Sequence, residues 1–354
     1  MKILVDLGHP AHVHFFKNFI WNMEKKGHEI LITARDKEVT FQLLNAYGFE
    51  YENVGKYGKS VFSKIKGVVE IDYKMYKIAK KFNTDILTGI SVNAAHVSSL
   101  LRKSCIVFDD TEHASLEHRL YMPFSDAVCT PSCFKKDLGR KQVRYKGYHE
   151  LTYLHPNYFK PNPEVLDELN LSKDDKFVIL RFVSWTATHD LGQKGFSLES
   201  KIKLVKELEK YAKVFITSEA KLEKDLEKYR ITISPEKIHD LLYYATIYIG
   251  EGATMATESA ILGTPSIYVS SLVGTMGNFI ELEDDYGLVY SFKTHEYGIN
   301  KAFELLKNPD IKQEWAKKRE RLLNDKIDVT KFMIDFIENY HESFYKYKCN
   351  YLKQ

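Results

Sequence analysis

Short apolar runs alternate with helix-period segments along this chain, and the alternation occurs twice. Lys2-Ile3-Leu4-Val5-Asp6-Leu7 is an apolar run that ends in Gly8-His9-Pro10-Ala11-His12. Phe15, Phe16, Phe19, Ile20 and Met23 then recur at helical spacing, and Gly27 stops the pattern. Glu29-Ile30-Leu31-Ile32-Thr33-Ala34 follows as a second strand. Strand, loop, helix, strand is the βαβ unit of a parallel sheet. Runs at 85–89, 104–108 and 127–130 read as further strands, short and apolar because both faces of a parallel sheet are covered. Prolines at 156, 161 and 163 interrupt the pattern and mark a linker. It restarts with a strand at 176–181, a helix at 199–211, a strand at 213–217 and a charged helix near 221–229. A strand at 245–249, a helix at 255–262, a strand at 266–269 and a helical stretch over 296–348 complete it.

The predicted class is therefore α/β, with two Rossmann-like, doubly wound parallel-sheet domains facing a cleft. The expected boundaries are 1–160 and 161–328, with 329–354 returning as a helix to the first domain. The length of 354 residues suits that division, since single domains run to roughly 100–200 residues. Hydrophobic residues at 44% and charged residues at 28% are the balance of a globular chain, not a disordered one. No stretch has the ~18 uncharged apolar residues of a membrane span. An acid at position 6 rules out a signal peptide, so a cytoplasmic location is expected. Lysine and arginine number 51 against 48 acids, for a net +3, which gives no electrostatic case for nucleic-acid binding. The four cysteines form no CxxC pair and fit no zinc spacing, so no metal and no cofactor are expected.

The most informative segment runs from Ile249 to Pro265. A strand ends at Ile249, and Gly250, Gly252, Ala253, Thr254 and Met255 make a tight turn into a helix that stops at Gly263. Small side chains at a helix start let an anion reach the unpaired backbone N–H groups, where the dipole favours negative charge. A diphosphate fits that place. Glu258, one turn further on, can accept hydrogen bonds from both hydroxyls of a ribose.

This stretch resembles the nucleotide-binding signature of GT-B enzymes, namely MurG-type glycosyltransferases and UDP-N-acetylglucosamine 2-epimerases. Glu258, Gly263 and Pro265 stand at the signature's Glu, Gly and Pro places. The resemblance implies that Glu258 binds the nucleotide ribose and that the preceding turn binds the phosphates. The chain also resembles, over nearly its full length, an uncharacterised prokaryotic family that carries a domain-of-unknown-function label and is placed among GT-B-like proteins. Leu7-Gly8-His9-Pro10-Ala11-His12-Val13, Asp109-Asp110-Thr111-Glu112-His113, Trp185-Thr186-Ala187-Thr188-His189-Asp190 and the glycine turn carry that resemblance.

Three further clusters follow predicted strands, where ligands of open α/β sheets collect. Gly8 to His14 is similar to the glycine-rich, histidine-containing first loop of the MurG type, with His12 at the place of its His. A histidine suits a general base for an acceptor hydroxyl; support of the loop backbone is the alternative. Asp109 to His113 sets carboxylates side by side, the arrangement acid/base work uses, with a helix-capping part for Asp110 or Thr111 as the alternative. Glu112 stands at the Glu place of the 2-epimerases' His-Val-Glu-Ala-Gly segment, although the glycine and arginine that follow there are missing. Arg181 and Lys194 can neutralise a diphosphate, Ser184 can donate to it, and His189 beside Asp190 can act as an acid or base. From Lys56 to Lys81, eight lysines face only Glu70 and Asp72, with Val61, Phe62, Ile65, Val68 and Val69 interleaved. That pattern fits either a solvated helix face or a peripheral membrane surface with anionic headgroups.

The expected function is a metal-independent glycosyltransferase with a UDP-sugar donor and a sugar or lipid-linked acceptor, in cell-surface polysaccharide or glycolipid synthesis. Consistent with this, the chain has no Asp-x-Asp pair, the metal motif of the other major transferase fold. The alternative is a UDP-N-acetylglucosamine 2-epimerase-like epimerase or hydrolase that uses Glu112, Asp110 and His189.

Overall fold

The computed structural model describes residues 1–58, 60–182, 198–218 and 221–351. Contacts divide the chain into two units, Met1–Tyr158 together with the chain from Ile327 onward, and Phe159–Lys326.

In the first unit the strands are β1 (Lys2–Leu7), β2 (Glu29–Arg35), β3 (Glu52–Gly55), β4 (Ile86–Gly89), β5 (Ser104–Phe108), β6 (Ala127–Pro131) and β7 (Gln142–Tyr145). They form one parallel seven-stranded sheet in the order β3-β2-β1-β4-β5-β6-β7. Its helices are α1 (Pro10–Lys25), α2 (Thr40–Ala46), α3 (Val61–Phe82), α4 (Val92–Leu101), α5 (Ser115–Tyr121) and the single turn α6 (Leu151–Leu154). The order reverses at β1, which pairs with β2 on one side and β4 on the other. Loops that leave the carboxyl ends of strands beside such a switch point are where ligands of this architecture bind.

α1 shows why the elements form where they do. His9 caps it, accepting from the Ala11 N–H at 3.1 Å, and Pro10 occupies the first turn, where no N–H is needed. The face carrying Phe15, Phe16, Phe19, Ile20 and Met23 is wholly buried, each large side chain contributing roughly 1.5–3 kcal/mol.

The second unit contains α7 (Glu164–Asp167), β8 (Phe177–Phe182), α8 (Leu198–Leu208), β9 (Lys213–Ser218), α9 (Ile238–Tyr244), β10 (Ile247–Gly250), α10 (Ala253–Leu262) and β11 (Ser266–Val269). α11 (Gly277–Asp284), β12 (Val289–Phe292), α12 (His295–Leu306) and α13 (Ile311–Asp325) complete it. Its parallel sheet has five strands in the order β12-β11-β10-β8-β9. The chain then re-enters the first unit as α14 (Val329–Glu338) and α15 (Glu342–Tyr351). α14 buries Val329, Phe332, Met333, Phe336 and Ile337. The approach is close: a Cβ on Gly147 would lie 2.4 Å from Val329 Cγ2.

Each unit is a Rossmann-like parallel sheet with helices, as the alternation predicts. Three short strands, β3, β7 and β12, escape the sequence pattern because Glu52 and Asn53, Gln142 and Arg144, and Ser291 interrupt their apolar runs. The charged segment at 221–229 does not form the expected helix. It is turns ending in a 3₁₀ turn at Glu227–Tyr229, followed by a parallel bridge from Arg230 to Ile216 of β9. Only Leu222 and Leu226 are buried there, too few to hold a helix of that charge against the bridge. Among the described residues no helix is long and apolar enough to cross a membrane.

Candidate functional site

In the first unit, chemistry gathers at the carboxyl ends of β1, β2, β5 and β7. Asp6 on β1 is fully buried. Its carboxylate accepts from Thr33 Oγ1 at 2.8 Å and from Ser91 Oγ, and Arg35 Nη2 lies 3.9 Å away. Arg35 lies across Gly8: a Cβ there would come within 1.6 Å of Nη2, so a larger residue must push the guanidinium aside. The other face of the guanidinium rests on the Tyr57 ring at 4.8 Å.

His12 is half-buried in the first turn of α1, beside Gly8. Burial holds its pKa well below the ordinary 6.5, and the nearby His9, Arg35, Lys37 and His149 push the same way. That direction favours the neutral ring. The Gly8 N–H points to its Nδ1 at 3.3 Å, which puts the ring proton on Nε2. In that arrangement His12 offers a donor at Nε2, whereas the base expected of it needs a lone pair there. His14, two residues on, is buried and bonded to the Tyr47 hydroxyl at 3.1 Å.

After β5 the adjacent carboxylates have separate parts. Asp109 is buried, with His118 Nε2 at 3.0 Å and the Tyr121 hydroxyl donating at 2.5 Å. Asp110 is half-exposed, and its Oδ2 lies 3.3 Å from Nδ1 of His149. Burial lowers the pKa of His149, against the opposing pull of Asp110 and Asp109. His149 packs its ring on Phe15 at 4.4 Å between centroids. Its Nε2 is buried without a hydrogen-bond partner among the described residues. Glu112 is buried and accepts from the Lys135 N–H at 3.3 Å. The capping alternative fails, since α5 starts at Ser115 with no side-chain cap. A carboxylate beside an imidazole is an arrangement that acid/base chemistry can use. Sequence reasoning missed His149 and Arg35. The signal for His149 was Gly147-Tyr148-His149-Glu150 after a four-residue strand that went unnoticed.

In the second unit, α10 starts at Ala253 with Gly252 as its cap residue and no side-chain cap bond, so its first N–H groups keep the dipole's positive end accessible. Gly250 is tightly enclosed: a Cβ would lie 2.3 Å from the Tyr248 hydroxyl and 2.7 Å from Arg181 Cβ. Arg181, half-buried at the end of β8, donates from Nη1 to Thr217 Oγ1 at 3.1 Å. Thr254 is exposed, and Gly252, Ala253 and Met255 are partly so. Glu258 is buried, with His239 Nε2 2.9 Å from its Oε1. Glu251, inside the turn, is also buried and faces His295 Nε2 at 3.4 Å. His239 and His295 were not singled out from the sequence, because they lie on α9 and α12, far along the chain from the glycine turn. Ser184, His189 and Lys194 lie outside the described residues. Among the described residues no three His, Cys, Asp or Glu side chains converge so as to hold a metal ion.

Similar proteins fit this architecture. The uncharacterized protein MJ0665 of Methanocaldococcus jannaschii is 27% identical over 295 residues, covering 79% of this chain and 86% of that protein. The UDP-bound MnaA of S. aureus has a TM-score of 0.68 at 11% identity, covering 97% of each chain. The UDP-GlcNAc 2-epimerase of Neisseria meningitidis, bound to UDP-GlcNAc, has 0.62 at 13%, covering 98% of this chain and 100% of that one. MurG of Acinetobacter baumannii has 0.56 at 14%, covering 96% and 99%. At these identities the likeness is one of fold, a fold shared with enzymes that handle nucleotide sugars. Residues 1–342 match the family described as protein of unknown function (DUF354), and with its two Rossmann-like units of GT-B-like fold the chain belongs to that family.

Proposed function

We propose that this protein is a metal-independent glycosyltransferase that takes its sugar from a UDP-linked donor. The observation that carries the reading is the Asp110–His149 pair, at 3.3 Å and within electrostatic reach of the neutral His12. The second unit is assigned the nucleotide: the turn from Gly250 to Met255 takes the diphosphate and Glu258 takes the ribose. Arg181 and the α10 dipole stabilise the departing diphosphate, the part a divalent metal plays elsewhere. The first unit is assigned the acceptor. Asp110 removes the acceptor hydroxyl proton while His149 Nδ1–H steadies the carboxylate. The acceptor oxygen bonds to the anomeric carbon as that carbon's bond to the phosphate oxygen breaks, and the electron pair leaves with the diphosphate. Neutral His12 donates from Nε2 to an oxygen that gains charge.

A second reading rests on Asp110 and Glu112, one half-exposed and one buried, on the same loop after β5. Two carboxyl groups in unlike surroundings are what an epimerase or hydrolase of the nucleotide sugar itself would use.

Isothermal titration with UDP, UDP-N-acetylglucosamine, GDP and CDP, without metal, tests the common part. Selective uridine binding that Glu258→Gln weakens supports it. Absence of nucleotide binding would sink both readings. Incubation of donor alone, followed by NMR, then separates them: a 2-epimer or free sugar without acceptor favours the second.

A further inference from the structure

The outer helices of the first unit's sheet carry two exposed apolar stripes at four-residue spacing. On α3, Ile65, Val69 and Tyr73 are 61, 63 and 60% exposed. On α5 and just past it, Leu116, Leu120 and Phe124 are 65, 37 and 43% exposed. The stripes are joined through α4: His96 Nδ1 lies 2.8 Å from Asp72 Oδ2 of α3, and His96 Nε2 lies 3.2 Å from the Leu120 carbonyl. The Phe124 ring meets the His96 ring edge-on at 5.0 Å. Scattered single apolar residues need no explanation, but two stripes tied together make a face.

The charge around this face is one-sided. α3 has six lysines against Glu70 and Asp72, a surplus of four, which exceeds the whole chain's +3. Asp72 is turned to Asn93 and His96 rather than outward. Lys77 folds over the Tyr73 ring at 4.2 Å, its stem along apolar surface and its ammonium at the rim.

We infer that this face docks on a bilayer of anionic phospholipid. Ile65, Val69 and Tyr73 enter the headgroup boundary, and the α3 lysines meet the phosphates. The charge favours that occupant over a second copy of the chain, because two lysine surpluses laid face to face repel. The inference does not rest on the proposed reaction, since vesicle binding is read without turnover.

The whole protein is sedimented with phosphatidylcholine vesicles, with and without phosphatidylglycerol. The expected result is co-sedimentation with the anionic vesicles only, weakened by added salt. Lys77→Gln with Lys80→Gln should weaken it by about tenfold or more, at ~1 kcal/mol or roughly fivefold per lysine near the surface. Val69→Ser with Tyr73→Ser should abolish it with the circular dichroism unchanged, since both side chains are exposed. Failure to sediment with anionic vesicles overturns the inference, as does equal binding by the variants. Light scattering that shows a dimer dissolved by Val69→Ser overturns it too, by assigning the face to a second copy.

Discussion

Nε2 of His239 lies 2.9 Å from Oε1 of Glu258, and both side chains are buried at the heart of the second unit. The pair fixes the carboxylate that the GT-B resemblance assigns to the ribose. Glu258→Gln keeps the volume and removes the charge. It should weaken UDP binding by ~10–100-fold, the worth of hydrogen bonds to a charged group. Titration calorimetry reads the change, and unaltered affinity would take Glu258 out of the nucleotide site.

The Asp110–His149 pair makes a kinetic prediction. Asp110→Asn and His149→Gln should each lower kcat by roughly 10²–10⁴-fold, the range of general acid–base catalysis. The dissociation constant for UDP should stay put, because these residues belong to the other unit. Equal losses of affinity and turnover would point to misfolding instead.

Much of this was legible in the sequence, and the gaps have physical reasons. The β1 loop, the glycine turn and the two sheets announce themselves through short apolar runs and glycine punctuation. Glu258 stands out by its fixed distance from Gly263 and Pro265. Its partner His239 does not, because nothing local tells a buried histidine on a short helix that it faces a carboxylate on the next. Arg35 likewise reads as the charged end of a strand, and only the sheet register carries it over Gly8. His149 hides behind β7, whose Gln142 and Arg144 break the apolar run that would mark a strand.

Gly8→Ala tests the Arg35 contact. A methyl group 1.6 Å from Nη2 must displace the guanidinium. The cost should be ~1–3 kcal/mol of stability, as for other overpacked sites. Denaturant unfolding of Gly8→Ala, Arg35→Ala and the double variant closes the cycle. The double variant should lose less than the sum of the two singles, because the clash vanishes with the side chain. Strict additivity would show that Gly8 is required for another reason.

Two histidines should pull stability in opposite directions with pH. His12 is held well below its ordinary 6.5, first by burial and then by its cationic neighbours. As pH falls below about 6.5 the unfolded chain takes up a proton that folded His12 refuses, so stability drops. His96 is raised, mainly by its hydrogen bond to Asp72. Its contribution is fully present below about 6.5 and is lost as pH rises through the folded value. Urea unfolding at about pH 5.5 and about pH 8 should therefore show His12→Gln relatively gaining at acid pH and His96→Gln relatively losing there. Parallel pH curves for both variants and the parent protein would remove these assignments.

The first unit is discontinuous in sequence: α14 lays Phe332, Met333 and Phe336 into it only after Phe159–Lys326 has intervened. On a ribosome that adds ~5–20 residues each second, roughly ten to thirty seconds separate the emergence of Tyr158 from that of α14. Throughout that interval the nascent first sheet exposes the apolar seat of α14, around Gly147 and Thr152, and the second unit gains its last residue, Lys326, just before α14 begins at Val329. The first unit thus starts first yet finishes only after the second, and the waiting seat is where a chaperone would be needed during synthesis.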